Sequence, residues 1–282
     1  MRLGSLCSGY GGLEAGIGQV LDIEPVWCSE IDKDASKVLA THHPDVPNLG
    51  DLTELWGMWG ALEPVDIICA GFPCQPFSHA GKRLGVDDER AIFQHIADGI
   101  GVLRPRLVVL ENVPGILTLG GVSVIGTLTG LGYDARWGIV RASDTGAPHR
   151  RARWFCIAEP ADASGAERRT SQHETVDTAT RSAAEPGERD SAPAADADGE
   201  RGLQRRPVAM GTKLAPVADR CSTVHFGPYL AAVQRWERVI GRPAPNPTDS
   251  RGLRPEFVEH LMGLPEGWVC DVGLSRTAAL KM

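Results

Sequence analysis

The chain has 282 residues, 42% hydrophobic and 23% charged, with a formal net charge of −7. That length holds one large domain, or a core with a smaller appendage, and the acidic balance argues against a uniformly basic nucleic-acid-binding chain while leaving local positive surface open. The seven cysteines (7, 28, 69, 74, 156, 221 and 270) are scattered without a CxxC pair, which argues against a zinc site and a disulfide framework. No apolar run reaches the roughly 20 residues of a membrane span, and the N-terminal apolar stretch is too short for a secretory signal. The expectation is a cytoplasmic protein with no membrane partner and no metal.

Leu3–Leu6 reads as a short strand that runs into the glycines of CSGYGG (7–12). PVWCS (25–29) is a second strand, and VDIICAG (65–71), apolar throughout, is a third with both faces buried. Glu89–Leu103 has the length of a crossover helix, and RLVVLEN (106–112) and RWFCIA (153–158) are further strands. This alternation predicts an α/β domain with a mostly parallel sheet. Residues 159–220 are poor in aromatics, hold no credible core and read as flexible; ADASGAER (161–168) and ADADGER (195–201) look like degenerate copies of one another. A helix is expected over 226–240, a Pro- and Gly-rich linker over 241–252, and one more helix over 254–268, stopped by Gly263 and Pro265.

Three groupings carry chemistry. Gly9, Gly11 and Gly12 follow the first strand and let the backbone approach a ligand closely. Glu30 ends the second strand about twenty residues on, where a partner for a ribose hydroxyl belongs, and Asp51 follows the next segment. Together they suggest an adenosine-bearing cofactor. The dinucleotide fingerprint is only partly met, because Glu14 stands in place of its last glycine, and a tight turn without a ligand is the competing reading.

Cys74 comes next, four residues beyond the third strand in the proline-rich loop GFPCQPFS. A thiol attacks only as thiolate, and Lys82, Arg83 and the arginines at 150, 151 and 153 could supply the positive setting. Position 77 is Phe, so the PCxxC signature of zinc deaminases is absent. The alternative is a buried structural cysteine. Glu111–Asn112 ends the fourth strand at the same edge, and a carboxyl beside a nucleophile suggests a proton donor; a turn or cap acid is the alternative.

DIICAGFPCQPFSHAGKR, VVLENV and GAPHRRARWFCIA, in this order after CSGYGG, closely resemble the DNA cytosine-5 methyltransferases, in the style of bacterial and phage members. The resemblance covers 1–158 nearly continuously and resumes at 226–274. It implies a Rossmann-like S-adenosylmethionine-dependent fold: a catalytic domain over 1–158, a small irregular target-recognition region over 159–250, partly disordered, and a return to the catalytic domain over 251–282. It implies S-adenosyl-L-methionine as cofactor, held by Cys7, Gly9, Gly11, Gly12, Glu30, Ile31, Asp51, Leu52 and Pro73, with Glu30 on the ribose and Asp51 near the adenine. It also implies a flipped-out cytosine, a Cys74 thiolate adding to ring carbon 6, Glu111 engaging ring nitrogen 3, and Arg151 and Arg153 against the base. Gln75, Ser78, Lys82 and Arg83 are implied to face DNA. The implied partners are double-stranded DNA and a cognate restriction endonuclease, with the enzyme itself a monomer. A tRNA cytosine-5 methyltransferase and a non-catalytic DNA-binding remnant are the alternatives; a nicotinamide-dependent dehydrogenase is a poorer third.

The sequence departs from the family pattern in three places. Cys7 stands where an aromatic usually stacks on the cofactor, and His149 replaces a usual Gln. After GLSRTAALKM the Gly-Asn tenth motif, which helps build the cofactor pocket, is missing. A partly open cofactor site is therefore expected. Isothermal titration of this chain with S-adenosylmethionine is expected to show binding weaker than micromolar, and micromolar or tighter binding overturns that expectation.

Overall fold

The computed structural model describes residues 1–73, 87–161, 226 and 229–281. Cys74, Gln75, Ser78, Lys82 and Arg83 lie outside the described residues, as do residues 162–220 of the coreless stretch expected over 159–220, whose first two residues instead close the strand Ala152–Pro160. The two long described parts, 1–161 and 229–281, belong to one compact unit. Among the described residues no helix is long and apolar enough to cross a membrane.

The central sheet has six strands: β1 (Arg2–Leu6), β2 (Glu24–Ser29), β3 (Ile67–Ala70), β4 (Leu107–Asn112), β5 (Tyr133–Arg141) and β6 (Ala152–Pro160), in the order β2-β1-β3-β4-β6-β5. β1 to β4 run parallel, while β6 runs antiparallel to both β4 and β5. This is the expected α/β architecture with a mostly parallel sheet. The buried run of β3 shows why. Ile67 and Cys69 pack on one side with Leu3, Ile17 and Val109, and Ile68 and Ala70 pack on the other with Leu6, Trp27 and Leu110. A strand covered on both faces needs an apolar residue at every position rather than at alternate ones.

Helices α1 (Gly12–Gly18) and α2 (Lys33–His42) follow β1 and β2. Asp32 caps α2 by accepting from the N–H groups of Asp34 and Ala35, satisfying donors that the first turn leaves open. α3 (Asp87–Leu103) buries Phe93, Ile96, Ala97 and Ile100, the one-sided spacing of a core-facing helix. It comes so close to Trp59 that a Cβ on Gly99 would stand 3.0 Å from the indole. α4 (Ile116–Leu119) and α5 (Gly121–Gly130) complete this layer.

Two elements differ from the expectation. β5 is absent from the sequence reading because it is an edge strand with neighbouring Arg136 and Trp137 both exposed, so no period of two marks it. The helix expected over 254–268 is shorter. After α6 (Leu230–Ile240), and a small hairpin of β7 (Thr248–Asp249) and β8 (Gly252–Leu253) inside the expected linker, α7 spans only Pro255–Leu261. Gly263 then turns the chain at φ +73°. The buried Glu259 carboxylate gathers the N–H groups of Gly267 (2.7 Å), Val269 (2.9 Å) and Cys270 (3.1 Å), folding the segment back on the helix. The last helix is α8 (Arg276–Ala279), whose Arg276 pairs with Asp249 of the hairpin at 2.8 Å.

His260 of α7 is buried, and among the described residues neither of its ring nitrogens has a partner. Burial, helped by the charge of Arg242, lowers its pKa from 6.5 to about 4. Between these values the unfolded chain binds a proton that the folded chain refuses, so stability rises with pH across the window. The His260 contribution is present in full above pH 6.5 and is lost as the pH falls through about 4. Chemical denaturation across this range is expected to show the slope, and His260→Leu is expected to flatten it.

Candidate active site

The register brings Leu6 of β1 level with Ser29 of β2 and with Ala70 of β3, and Ala70 level with Leu110 of β4. The segments that follow these residues open at one edge, where β6 begins because it runs the other way. β1 lies between β2 and β3, so the chain departs from it to opposite sides. In open α/β sheets that switch point is the crevice where ligands bind.

The β1–α1 turn lines one side of the crevice. Cys7, Gly9 and Gly11 all have positive φ, +51°, +55° and +84°. Nothing lies within 4 Å of a Cβ built on Gly9, so the backbone there faces open space. Glu30 is fixed across from it: its Oε2 accepts from the Gly9 N–H (2.7 Å) and its Oε1 from the Asp32 N–H (2.8 Å). Asn48 holds the Glu30 backbone at both ends, accepting from its N–H and donating to its carbonyl, each at 3.0 Å. Beside this acid Ile31 is 70% exposed, a large apolar side chain left in solvent at the crevice. Asp51 accepts from the Thr53 N–H and hydroxyl through Oδ1, at 2.8 and 2.7 Å, and these bonds hold its carboxyl below the usual value. Leu52 packs in the main core, whereas Pro73 is exposed. Burial and the carboxylates of Glu30 and Asp51 push the Cys7 thiol up to about 12. Cys7 therefore stays protonated near neutrality and is no rival nucleophile.

Beneath the turn, Glu14 is buried. It accepts from Ser5, whose hydroxyl lies 2.7 Å from that of Ser8. Burial raises its carboxyl above the usual range, against the bond from Ser5. Its second oxygen has no partner among the described residues and lies by a cavity of about 120 Å3 lined by Gly11, Cys28, Leu39, His43 and Asn48. The position that breaks the dinucleotide fingerprint is thus a buried brace under the turn.

The other side of the crevice is charged. Glu111 Oε1 lies 2.7 Å from Arg153 Nε, with both side chains about three-quarters covered. Burial raises the Glu111 carboxyl, while Arg153 and Arg151 pull it back. Arg151 itself is lowered by burial and by Arg153, with Tyr10 and Glu111 acting the other way; an arginine so shifted remains a cation. Gly71 separates the two sides: a Cβ there would stand 3.6 Å from both the Cys7 carbonyl and Glu111 Oε2. The buried Asn112 amide donates to the Phe72 carbonyl (3.1 Å) and accepts from the Val113 N–H (2.8 Å), tying the exit of β3 to the end of β4. His149 donates through Nε2 to the Leu261 carbonyl at 2.9 Å, joining the arginine segment to α7.

A family model described as C-5 cytosine-specific DNA methylase matches residues 1–192. The chain belongs to this family. Among the relatives of this chain, a type II methyltransferase of Neisseria lactamica, M.NlaIV, is 36% identical over 167 residues, covering 53% of this chain and 39% of that protein. M.NaeI of Lentzea aerocolonigenes is 29% identical over 287 residues, covering 93% of this chain and 65% of that protein. The chain thus spans about two fifths of the length of the first of these relatives. The crystal structure of the Dnmt2 methyltransferase of S. pombe shares the fold with a TM-score of 0.50 at 22% identity, over 57% of this chain and 51% of that one.

Within this site, sequence reasoning singled out the charged and glycine positions and passed over the residues that hold them. Asn112 was visible only as the neighbour of Glu111. Tyr10 lies inside the glycine motif, yet its phenol is raised by burial and feels Arg151, Glu111 and Arg153, which places it between the two sides of the crevice. Asn112→Ala is expected to leave the Phe72 carbonyl without its partner and to lower stability by about 1–3 kcal/mol, read by chemical denaturation.

Proposed function

We propose that this chain carries out cytosine-5 methylation of double-stranded DNA with S-adenosyl-L-methionine as methyl donor. The observation that carries the reading is the Glu111–Arg153 pair (2.7 Å) facing the glycine turn across the side-chain-free gap at Gly71. The turn suits an adenosine-bearing cofactor: open space above Gly9, a Glu30 carboxylate locked in place for ribose hydroxyls, and the exposed Ile31 for an adenine face. Asp51 is poised near the adenine edge, with Gly11, Gly12, Leu52 and Pro73 completing the cofactor side. When bound, S-adenosylmethionine supplies an electrophilic methyl group.

The residues of the chain then divide the work. The Cys74 thiolate adds to carbon 6 of a flipped cytosine. Cys74 follows Pro73 directly in the sequence, two residues after the Phe72 whose carbonyl Asn112 holds. Glu111, its pKa raised by burial, presents a proton to ring nitrogen 3 as electrons move toward carbon 5. Carbon 5 would take the methyl group, leaving S-adenosylhomocysteine; a water would accept the carbon 5 proton as the carbon 6–sulfur bond breaks to return the thiolate, and nitrogen 3 would hand its proton back to Glu111. Arg151 and Arg153 hold Glu111 and the base. Gln75, Ser78, Lys82 and Arg83 face the DNA, and residues 159–250 read the target. A companion restriction endonuclease fits relatives designated type II methyltransferases.

Tritiated methyl transfer to duplex DNA, with tRNA as the competing substrate, tests the reading. Transfer to DNA is expected, with Glu111→Gln slowing it by about 10²–10⁴-fold. Cys74→Ala is expected to abolish both transfer and the covalent adduct on fluorocytosine DNA. Transfer to tRNA alone, or an adduct that survives Cys74→Ala, overturns it.

A further inference from the structure

Beyond the glycine turn itself, one contact reaches it from the far end of the sequence. The Trp268 indole N–H donates to the Tyr10 carbonyl at 2.9 Å, across a separation of 258 residues. The Tyr10 carbonyl and the Gly11 N–H are two ends of one peptide group, and the Gly11 N–H donates to the Ser8 carbonyl at 3.0 Å. With both ends held, that planar group cannot rotate. A Cβ on Gly11 would stand 3.8 Å from the same indole, so the ring lies directly against the turn.

The indole is itself fixed. Its ring stacks on His42 of α2, with centroids 3.8 Å apart and planes 4° from parallel. His42 Nε2 lies 2.6 Å from the Trp268 carbonyl. Around it Val38 of α2 packs with Leu264, Val269, Val272 and Ala279 in a cluster that Tyr10 and Trp268 join from the side. The residues after α7 thus form a small core of their own against α2, and the glycine turn leans on it.

We propose that Trp268 is a positioning residue for the methyl donor: it fixes the Tyr10–Gly11 peptide group, so that the segment following the target-recognition region sets the shape of the cofactor crevice. This rests on the reading of that crevice as the S-adenosylmethionine site. Trp268→Phe keeps an aromatic ring for His42 to stack on and removes the donor to Tyr10 together with part of the indole's packing. Lys37→Ala is the control, because Lys37 donates to the Gly273 carbonyl (3.1 Å) in the same interface without touching the turn.

Two measurements on the full chain decide it. In titrations with S-adenosylhomocysteine and S-adenosylmethionine, Trp268→Phe is expected to weaken binding by about 5- to 10-fold, the range of one lost hydrogen bond, with Lys37→Ala within about two-fold of the native chain. In methyl transfer the loss should appear in KM for the donor, with kcat nearly unchanged. In hydrogen exchange without ligand, the Gly11 amide should exchange faster in Trp268→Phe and at the native rate in Lys37→Ala. If the native chain binds neither compound at millimolar concentration, the cofactor reading falls and this inference falls with it. If it binds and Trp268→Phe binds equally well, or if Lys37→Ala loses as much, or if Gly11 exchange does not change, the inference alone is overturned.

Discussion

Everything at the site depends on the level row that the parallel pairing creates across Leu6, Ser29, Ala70 and Leu110. Hydrogen bonds between neighbouring strands set this row, and the buried alternation of Ile67, Ile68, Cys69 and Ala70 prevents it from slipping. A shift of one residue in β3 would exchange its two faces and drive each side chain into the wrong layer. Because the row cannot move, the residues just past it, Cys7, Glu30, Gly71 and Glu111, arrive at one edge without any contact among them having to bring them there.

Carboxyl groups around that edge are then given different characters by their surroundings. Asp51, near solvent and bonded to Thr53, is held toward the ionised form. Glu111, more buried, is pushed toward the protonated form and restrained by two guanidinium groups. Glu14, deepest of the three, is pushed up by burial with hydroxyl and backbone hydrogen bonds, and no cation, opposing it. Differences in burial and in hydrogen-bond and charge partners thus spread the acid strengths of neighbouring carboxyl groups. The same burial keeps Cys7 a thiol near neutrality.

How much of this was legible in the sequence follows from how local each feature is. β3 announced itself because burial on both faces leaves an unbroken apolar run, and Glu111 could be placed because it closes such a run. The glycine turn was visible because positive φ at Gly9 and Gly11 selects the residue type. β5 was not, since a half-exposed edge strand with adjacent Arg136 and Trp137 has no period to read. The helix after Arg254 was drawn too long because Glu259 gathers amides from 267, 269 and 270, and nothing in the local pattern reveals a carboxylate collecting donors from the next turn of chain. Asn112 and Trp268 act through backbone carbonyls, which every residue possesses, so their partners leave no mark in the sequence.

The bond between Trp268 and the Tyr10 carbonyl joins two residues 258 positions apart in the chain. The strands from β1 to β6 can pair while the ribosome is still adding the segment beyond Pro160, since domains assemble as their parts emerge. The glycine turn, however, receives its outer anchor only after residue 268 has left the exit tunnel. Its two inner ties, to Ser8 and to Glu30, are made much earlier. The turn is consequently finished in two stages separated by the synthesis of the residues between them, and the nascent chain carries a loosely set crevice until the segment after α7 docks on α2.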